Sequence, residues 1–264
     1  MFHYVVINLN HLILFLYSYH KLYVCESNDI IDIRADRIVG FLHACERGYY
    51  DIVRYLCELY KTDKYRLIDI HIFNEDGFIQ ACKNGHYNIV KYLCELYKTD
   101  KYGLIDIHAT EEYGFIQACK NGHYNIVKYL CELYKTDKYR RIDIHAKEED
   151  AFKQACNNGD YDIVKYLCEL YKTDNYMRIE IDDSQYEGFF LACSSGNLCL
   201  VKYLCELYKT GDYDMTDINI GFKCARNYEH YNIMKYLMIL YKKHQYKPID
   251  NYLLVFKKID KYLV

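Results

Sequence analysis

The string Tyr-Leu-Cys-Glu-Leu-Tyr-Lys-Thr begins at Tyr55, Tyr92, Tyr129, Tyr166 and Tyr203, each copy 37 residues after the one before. Gly77–Tyr102 and Gly114–Tyr139 are identical over 26 positions. A fixed period of this length means one supersecondary unit stacked on copies of itself, because such a unit has an apolar face that it cannot bury alone. The 264 residues then divide into roughly seven units in one elongated stack, and function is expected on a surface.

Asp76–His108 serves as the type unit. Gly77-Phe78-Ile79-Gln80-Ala81-Cys82-Lys83-Asn84 has the spacing of a short helix, and Gly85 stands where a helix end wants a residue free to take positive φ. Asn88 is the expected N-cap of a second helix, in which Ile89, Val90, Leu93, Leu96 and Tyr97 recur at helical spacing. So short a link forces the two helices antiparallel. Ala81 and Cys82 are small enough to let neighbours approach. Leu104, Ile105 and Ile107 read as a short extended segment. Lys91 and Glu95 lie four apart, a spacing that recurs in later units and is expected to contribute only a few tenths of a kcal/mol.

These residues resemble an ankyrin repeat. Ala81-Cys82-Lys83-Asn84-Gly85-His86 is similar to that family's Ala-Ala-x-x-Gly-His, Ile89-Val90-x-x-Leu93 to the start of its second helix, and Asp106-Ile107-His108-Ala109 to its Asp-Val-Asn-Ala. The likeness spans residues 36 to about 250. The Tyr-rich, 37-residue units resemble most the expanded families of large amoebal DNA viruses. The resemblance implies an all-α fold, an α-solenoid of helix-turn-helix units with long hairpin-like finger loops. Units are expected at 36–72, 73–109, 110–146, 147–183, 184–216 and 217–249, with a degenerate capping unit at 1–34 and a cap helix at 250–264, all in one continuous solenoid.

Two departures stand out. The family's Thr-Pro-Leu-His before the first helix is missing, which puts its hydrogen bonds in question. Each unit also exceeds the usual 33 residues by four, placed at Tyr97–Tyr102, until the spacing falls to 33 between Phe189 and Phe222.

Composition narrows the function classes. Lys plus Arg total 34 against 37 Asp plus Glu, a net charge of −3, so the cationic surplus that nucleic-acid binding needs is absent. The 33 tyrosines, with no Trp and one Pro, are attributed largely to an A/T-rich gene rather than to a stacking surface. Of 13 cysteines, Cys45, Cys82, Cys119, Cys156 and Cys193 form one row, and Cys57, Cys94, Cys131, Cys168 and Cys205 another. Neighbours at helix-packing distance, about 8–10 Å, cannot be bridged along a row, whereas Cys45 could meet Cys57 inside a unit. Free thiols are the main expectation, and with them a reducing, intracellular and cytoplasmic setting. Leu12–Tyr17 is too short an apolar run for a spanning helix, so no membrane role is expected, though residues 2–24 could tether an adaptor.

The sequence holds no Gly-x-Gly-x-x-Gly, P-loop, His-Glu-x-x-His, Gly-x-Ser-x-Gly or Cys-x-x-Cys. Its Asp, Glu, His and Cys recur from unit to unit, while an active site is ordinarily built once. No enzyme, cofactor or metal is therefore expected. His71, His108 and His145, about 10 Å apart in a stack, cannot share an ion with bonds near 2.0–2.1 Å and are assigned to hydrogen bonding in the fingers. His86, His123 and His230 are likewise assigned structural roles.

What varies between units is the stretch before the first helix. In the resembled family, fingers and first helices line the concave binding surface. Stacking would set Glu75, Asp76, Glu111, Glu112, Glu148, Glu149, Asp150, Asp182, Asp183 and Glu187 in an acidic row, with Phe73, Tyr113 and Tyr186 as aromatic anchors. The partner expected there is a protein, a host protein if the chain is viral, offering a basic or mixed-charge segment to a monomeric scaffold. The competing role for the acids is to favour helix N-termini and solubility. A substrate-recruiting adaptor for a ubiquitin ligase is the alternative function, although about 15 residues after the last unit cannot hold an F-box-like module.

Overall fold

The computed structural model describes residues 33–62, 67–173, 176–179, 187–209 and 218–244. The expected capping unit and tether within residues 1–32, and the cap helix at 250–264, lie outside them. Among the described residues the chain is all-α, with six helix pairs and no strand. It divides into two compact units, Met1–Ala151 and Phe152–Val264.

In the first unit, α1 (Ile33–Arg47) pairs with α2 (Tyr50–Glu58), α3 (Ile72–Lys83) with α4 (Tyr87–Glu95), and α5 (Ala109–Lys120) with α6 (Tyr124–Glu132). It continues into α7 (Ala146–Asn158), within which the division falls. The core follows from the periodicity. Phe41, Phe78 and Phe115 stand in a row and are essentially inaccessible, each burial stabilising by about 1.5–3 kcal/mol. Their close stacking requires a residue without a side chain opposite the ring: a Cβ on Gly77 would sit 2.7 Å from Phe41 Cε1. From the second helices come Ile89, Val90, Leu93 and Cys94, and their counterparts 37 residues on.

Gly85 ends the first helix at φ 79°, and His86 N–H donates to Ala81 O at 2.9 Å, closing the turn in the left-handed manner common at helix C-termini. The second helix starts at Tyr87 with His86 at its cap position and no side-chain cap bond, so Asn88 is an exposed first-turn residue rather than the N-cap.

The added residues of the 37-residue unit form a 3-10 turn, Leu96–Thr99, held by Thr99 Oγ1 donating to Leu96 O at 2.7 Å. Beyond it, buried Tyr102 donates its hydroxyl to Cys57 O at 2.8 Å, and Tyr139 does the same to Cys94 O at 2.9 Å. The inserted segment thus pegs each unit to the helix of the preceding one. Tyrosines also meet edge to face across neighbours, Tyr50 with Tyr92 and Tyr87 with Tyr129, both at 5.7 Å between centroids. Several of the tyrosines therefore pack or hydrogen-bond between neighbouring repeats.

In the second unit, α8 (Tyr161–Thr173) is followed by the pairs α9 (Glu187–Ser195) with α10 (Leu198–Lys209) and α11 (Ile218–Asn227) with α12 (Tyr231–His244). Its aromatic row is Phe152, Phe189 and Phe222, the last step spanning 33 residues. Gly159 and Gly196 make the turns at φ 76° and 79°, and Glu229 takes the same left-handed place at φ 61°.

All twelve described cysteines are free, Cys45 and Cys57 included, and only Cys199 among them is exposed. Burial pushes the Cys57 thiol up to about 12 and raises those of Cys45, Cys82 and Cys156 as well. No helix among the described residues is long and apolar enough to cross a membrane.

Candidate functional site

The finger segments end in a feature that helical propensity does not foretell. Phe73, Asn74 and Glu75 take left-handed backbone angles (φ 52°, 56° and 66°), as do Thr110, Glu111 and Glu112, and again Lys147, Glu148 and Glu149. Left-handed conformation costs an L-residue about 1–2 kcal/mol, so three in succession need an external hold.

The third residue of each turn provides it. Glu75 Oε1 lies 2.7 Å from His71 Nδ1 and accepts Asp106 N–H of the following finger at 3.0 Å. Glu112 repeats the set with His108 at 2.7 Å and Asp143 N–H at 3.4 Å, and Glu149 lies 2.6 Å from His145 Nδ1. The backbone N–H of each histidine in turn donates to the carboxylate of the aspartate two residues before it: His71 to Asp69, His108 to Asp106, His145 to Asp143. This Asp-His-Glu set does the hydrogen bonding that the missing Thr-Pro-Leu-His left open, and His71, His108 and His145 have the structural role expected of them. The other histidines clasp the turns: His86 Nε2 lies 2.9 Å from Glu46 O and His123 Nε2 3.0 Å from Lys83 O in the first unit, and His230 Nε2 2.8 Å from Ser194 O in the second.

The fastening splits the acidic row. Glu75, Glu112 and Glu149 are only 4%, 8% and 6% exposed, turned inward by their bonds, and are not presented to a partner. The same turn throws the residues before them outward. Phe73 is 70% exposed and Glu111 and Glu148 are exposed, while Tyr113, just after Glu112, is 39% exposed. Asp76 and Asp150 are half-buried, Asp76 accepting from Gln80 Nε2 at 3.1 Å. Lys147 Nζ lies 3.5 Å from Glu111 and 5.7 Å from the Tyr113 ring centroid, so one repeat's cation tempers the preceding repeat's acid. Glu187 belongs to the second unit, where it pairs with Lys153 at 2.9 Å. Asp182, Asp183 and Tyr186 lie outside the described residues.

Among the described residues no group of three His, Cys, Asp or Glu could hold a metal ion. A cavity of about 220 Å³ lies between α2 and α4, walled by Cys57, Tyr92, Leu96 and Tyr102. The charges at its edge are already matched, Lys61 with Glu58 at 3.4 Å and Lys98 with Glu95 at 3.1 Å. Glu95 thus takes Lys98 as its partner, three residues on.

Reasoning from the sequence missed that the conspicuous glutamates are fasteners, and that Tyr102 and Tyr139 are pegs. The signal for the first was His and Glu always four apart, at 71/75, 108/112 and 145/149. For the second it was that each tyrosine tracks the inserted residues.

Residues 41–142 and 78–179 match a family model described as ankyrin repeats. No curated protein matches. Among solved structures, the chain is similar to the human ASB11 ankyrin repeat domain at 16% identity and a TM-score of 0.48, over 75% of this chain and 81% of that one.

Proposed function

The chain belongs to the ankyrin-repeat family, and from that premise we propose that it is a non-enzymatic scaffold binding a partner protein on the finger and first-helix surface. The observation that carries this reading is the left-handed finger turn. It holds Phe73 70% exposed and turns Glu111 and Glu148 to solvent, while the residues that maintain the stack stay nearly constant between units. Exposed aromatics bordered by charge are the usual anchors of a protein interface.

The surface comprises Phe73, Asp76, Glu111, Tyr113, Glu148 and Asp150, all in the first unit. The partner presents a basic or mixed-charge segment, since acids outnumber the one lysine, Lys147, placed among them. Free thiols throughout the described residues suit a reducing compartment inside a cell.

The test is charge reversal at Glu111 and Glu148 together with Phe73→Ala, none of which touches the buried fasteners. A partner captured by proximity labelling, then purified, should bind this variant at least tenfold more weakly by titration calorimetry, with the thermal midpoint unchanged. Unaltered affinity removes the assignment of this face.

A further inference from the structure

The aromatic rings of the core rows rest on bare backbone in the helix that follows. A Cβ added at Gly77 would lie 2.7 Å from Phe41, at Gly114 3.0 Å from Phe78, at Gly188 2.4 Å from Phe152 and at Gly221 2.4 Å from Phe189. Each glycine is therefore a slot for the ring of the repeat before it. Gly40 stands at the same register in α1, 37 residues before Gly77, and is buried. A Cβ there would meet nothing within 4 Å. Among the described residues, α1 has the slot without the ring.

The first pair is open on that same side at two further places. In later repeats Tyr92 and Tyr129 pack edge to face on Tyr50 and Tyr87 of the repeat before, and His86 and His123 clasp its carbonyls. Their counterparts in the first pair, Tyr55 and Tyr49, are 45% and 47% exposed. A second copy would have to offer a free ring from the far end of its row, and there the last described ring, Phe222, is wholly buried. The register supplies another occupant. Counting back 37 residues from Phe41 reaches Tyr4, from Tyr50 Ile13, and from Ile52 and Val53 Phe15 and Leu16, so residues outside the described ones carry a ring and apolar partners at the matching places.

We infer that residues 1–32 dock on α1 and α2, with the Tyr4 ring in the Gly40 slot and Ile13 against Tyr55. Tyrosine suits the end of such a row, since its hydroxyl wants a partner that water can supply.

Gly40→Ala, Tyr4→Ala and the double variant, made in the full chain, are followed by hydrogen–deuterium exchange with peptide mass analysis. Alanine is the better helix former, so in an unfilled slot Gly40→Ala should leave exchange across residues 37–58 unchanged or slower. With Tyr4 in the slot, it should speed that exchange at least tenfold, as should Tyr4→Ala, while α5 and α6 exchange as before. The double variant should then exchange no faster than Tyr4→Ala alone, because the two changes remove one contact. Tyr4→Leu replaces Tyr4→Ala if the latter does not fold. Unchanged or slower exchange in Gly40→Ala overturns the docking. So does a Gly40→Ala effect that Tyr4→Ala neither matches nor absorbs, which means that another ring fills the slot. Light scattering identifies that ring as a second copy's if Gly40→Ala abolishes a dimer.

Discussion

In the first unit every turn beyond the first pair is clasped by a histidine, His86 and His123 each meeting a carbonyl of the preceding repeat. The second unit uses an asparagine at one turn, Asn197 Nδ2 donating to Gly159 O at 2.7 Å, and a histidine at the next. Asn197 adds a helix cap, accepting Leu200 N–H at 3.1 Å. What the position demands is a donor of the right reach. The fingers of the first unit are tied by the Asp-His-Glu set, and the same register further along the chain reads Asp182 and Tyr186, which lie outside the described residues. Among the described residues the first unit thus carries a repeated polar fastening beside its aromatic row, and the second carries its own aromatic row with individual substitutes at its turns.

The contrast breaks most severely if the fastener is removed. Glu112→Ala leaves His108 and Asp143 N–H without their acceptor, which should cost about 3 kcal/mol in urea unfolding, with Glu112→Gln retaining part of it. A loss below about 1 kcal/mol would mean that the fingers stand without the set.

Next comes the aromatic row. A Cβ on Gly188 would lie 2.4 Å from Phe152 Cε1, against 3.0 Å from Phe78 for Gly114. Gly188→Ala should therefore destabilise by about 2 kcal/mol and Gly114→Ala by less than about 1. Ala151, already buried at the same register, fits the milder outcome, and a reversed order by thermal unfolding would contradict the packing described.

The smallest effect sharpens the comparison through thiols. In native protein at pH 8, Cys199 should be the one described cysteine alkylated within minutes, identified by peptide mass mapping, with none in the first unit. Folding raises the Cys57 thiol from 9.0 to about 12. The stability this contributes is complete below pH 9 and is lost as pH climbs through that interval. A midpoint that rises between pH 9 and 11 would contradict the burial.

The helix pairs, their turn glycines and the apolar rows were legible because each follows from local periodicity that the chain repeats many times. The left-handed finger turn was not. Nothing in Phe73-Asn74-Glu75 or Thr110-Glu111-Glu112 demands positive φ, and an acid beside a helix start ordinarily reads as solvated. Its burial depends on a backbone N–H 31 residues away, as between Glu75 and Asp106, a partner that appears only after stacking. The exposed half of the acidic row was legible for the opposite reason, since side chains that vary among otherwise fixed copies have no packing task. Asn88 misled because asparagine caps helices often, whereas here the turn histidine's backbone occupies that place.

Glu75 stands before one helix pair yet grips the finger that leads into the next, and Glu112 does the same, so the pairs α3–α4 and α5–α6 each carry both a plug and a socket. Duplicating or deleting any 37-codon block here joins a plug to a socket of the same make, wherever the cut falls. Copying errors in the gene can thus lengthen or shorten the protein without leaving a faulty joint, and the near-identity of residues 77–102 and 114–139 is the trace such an event would leave.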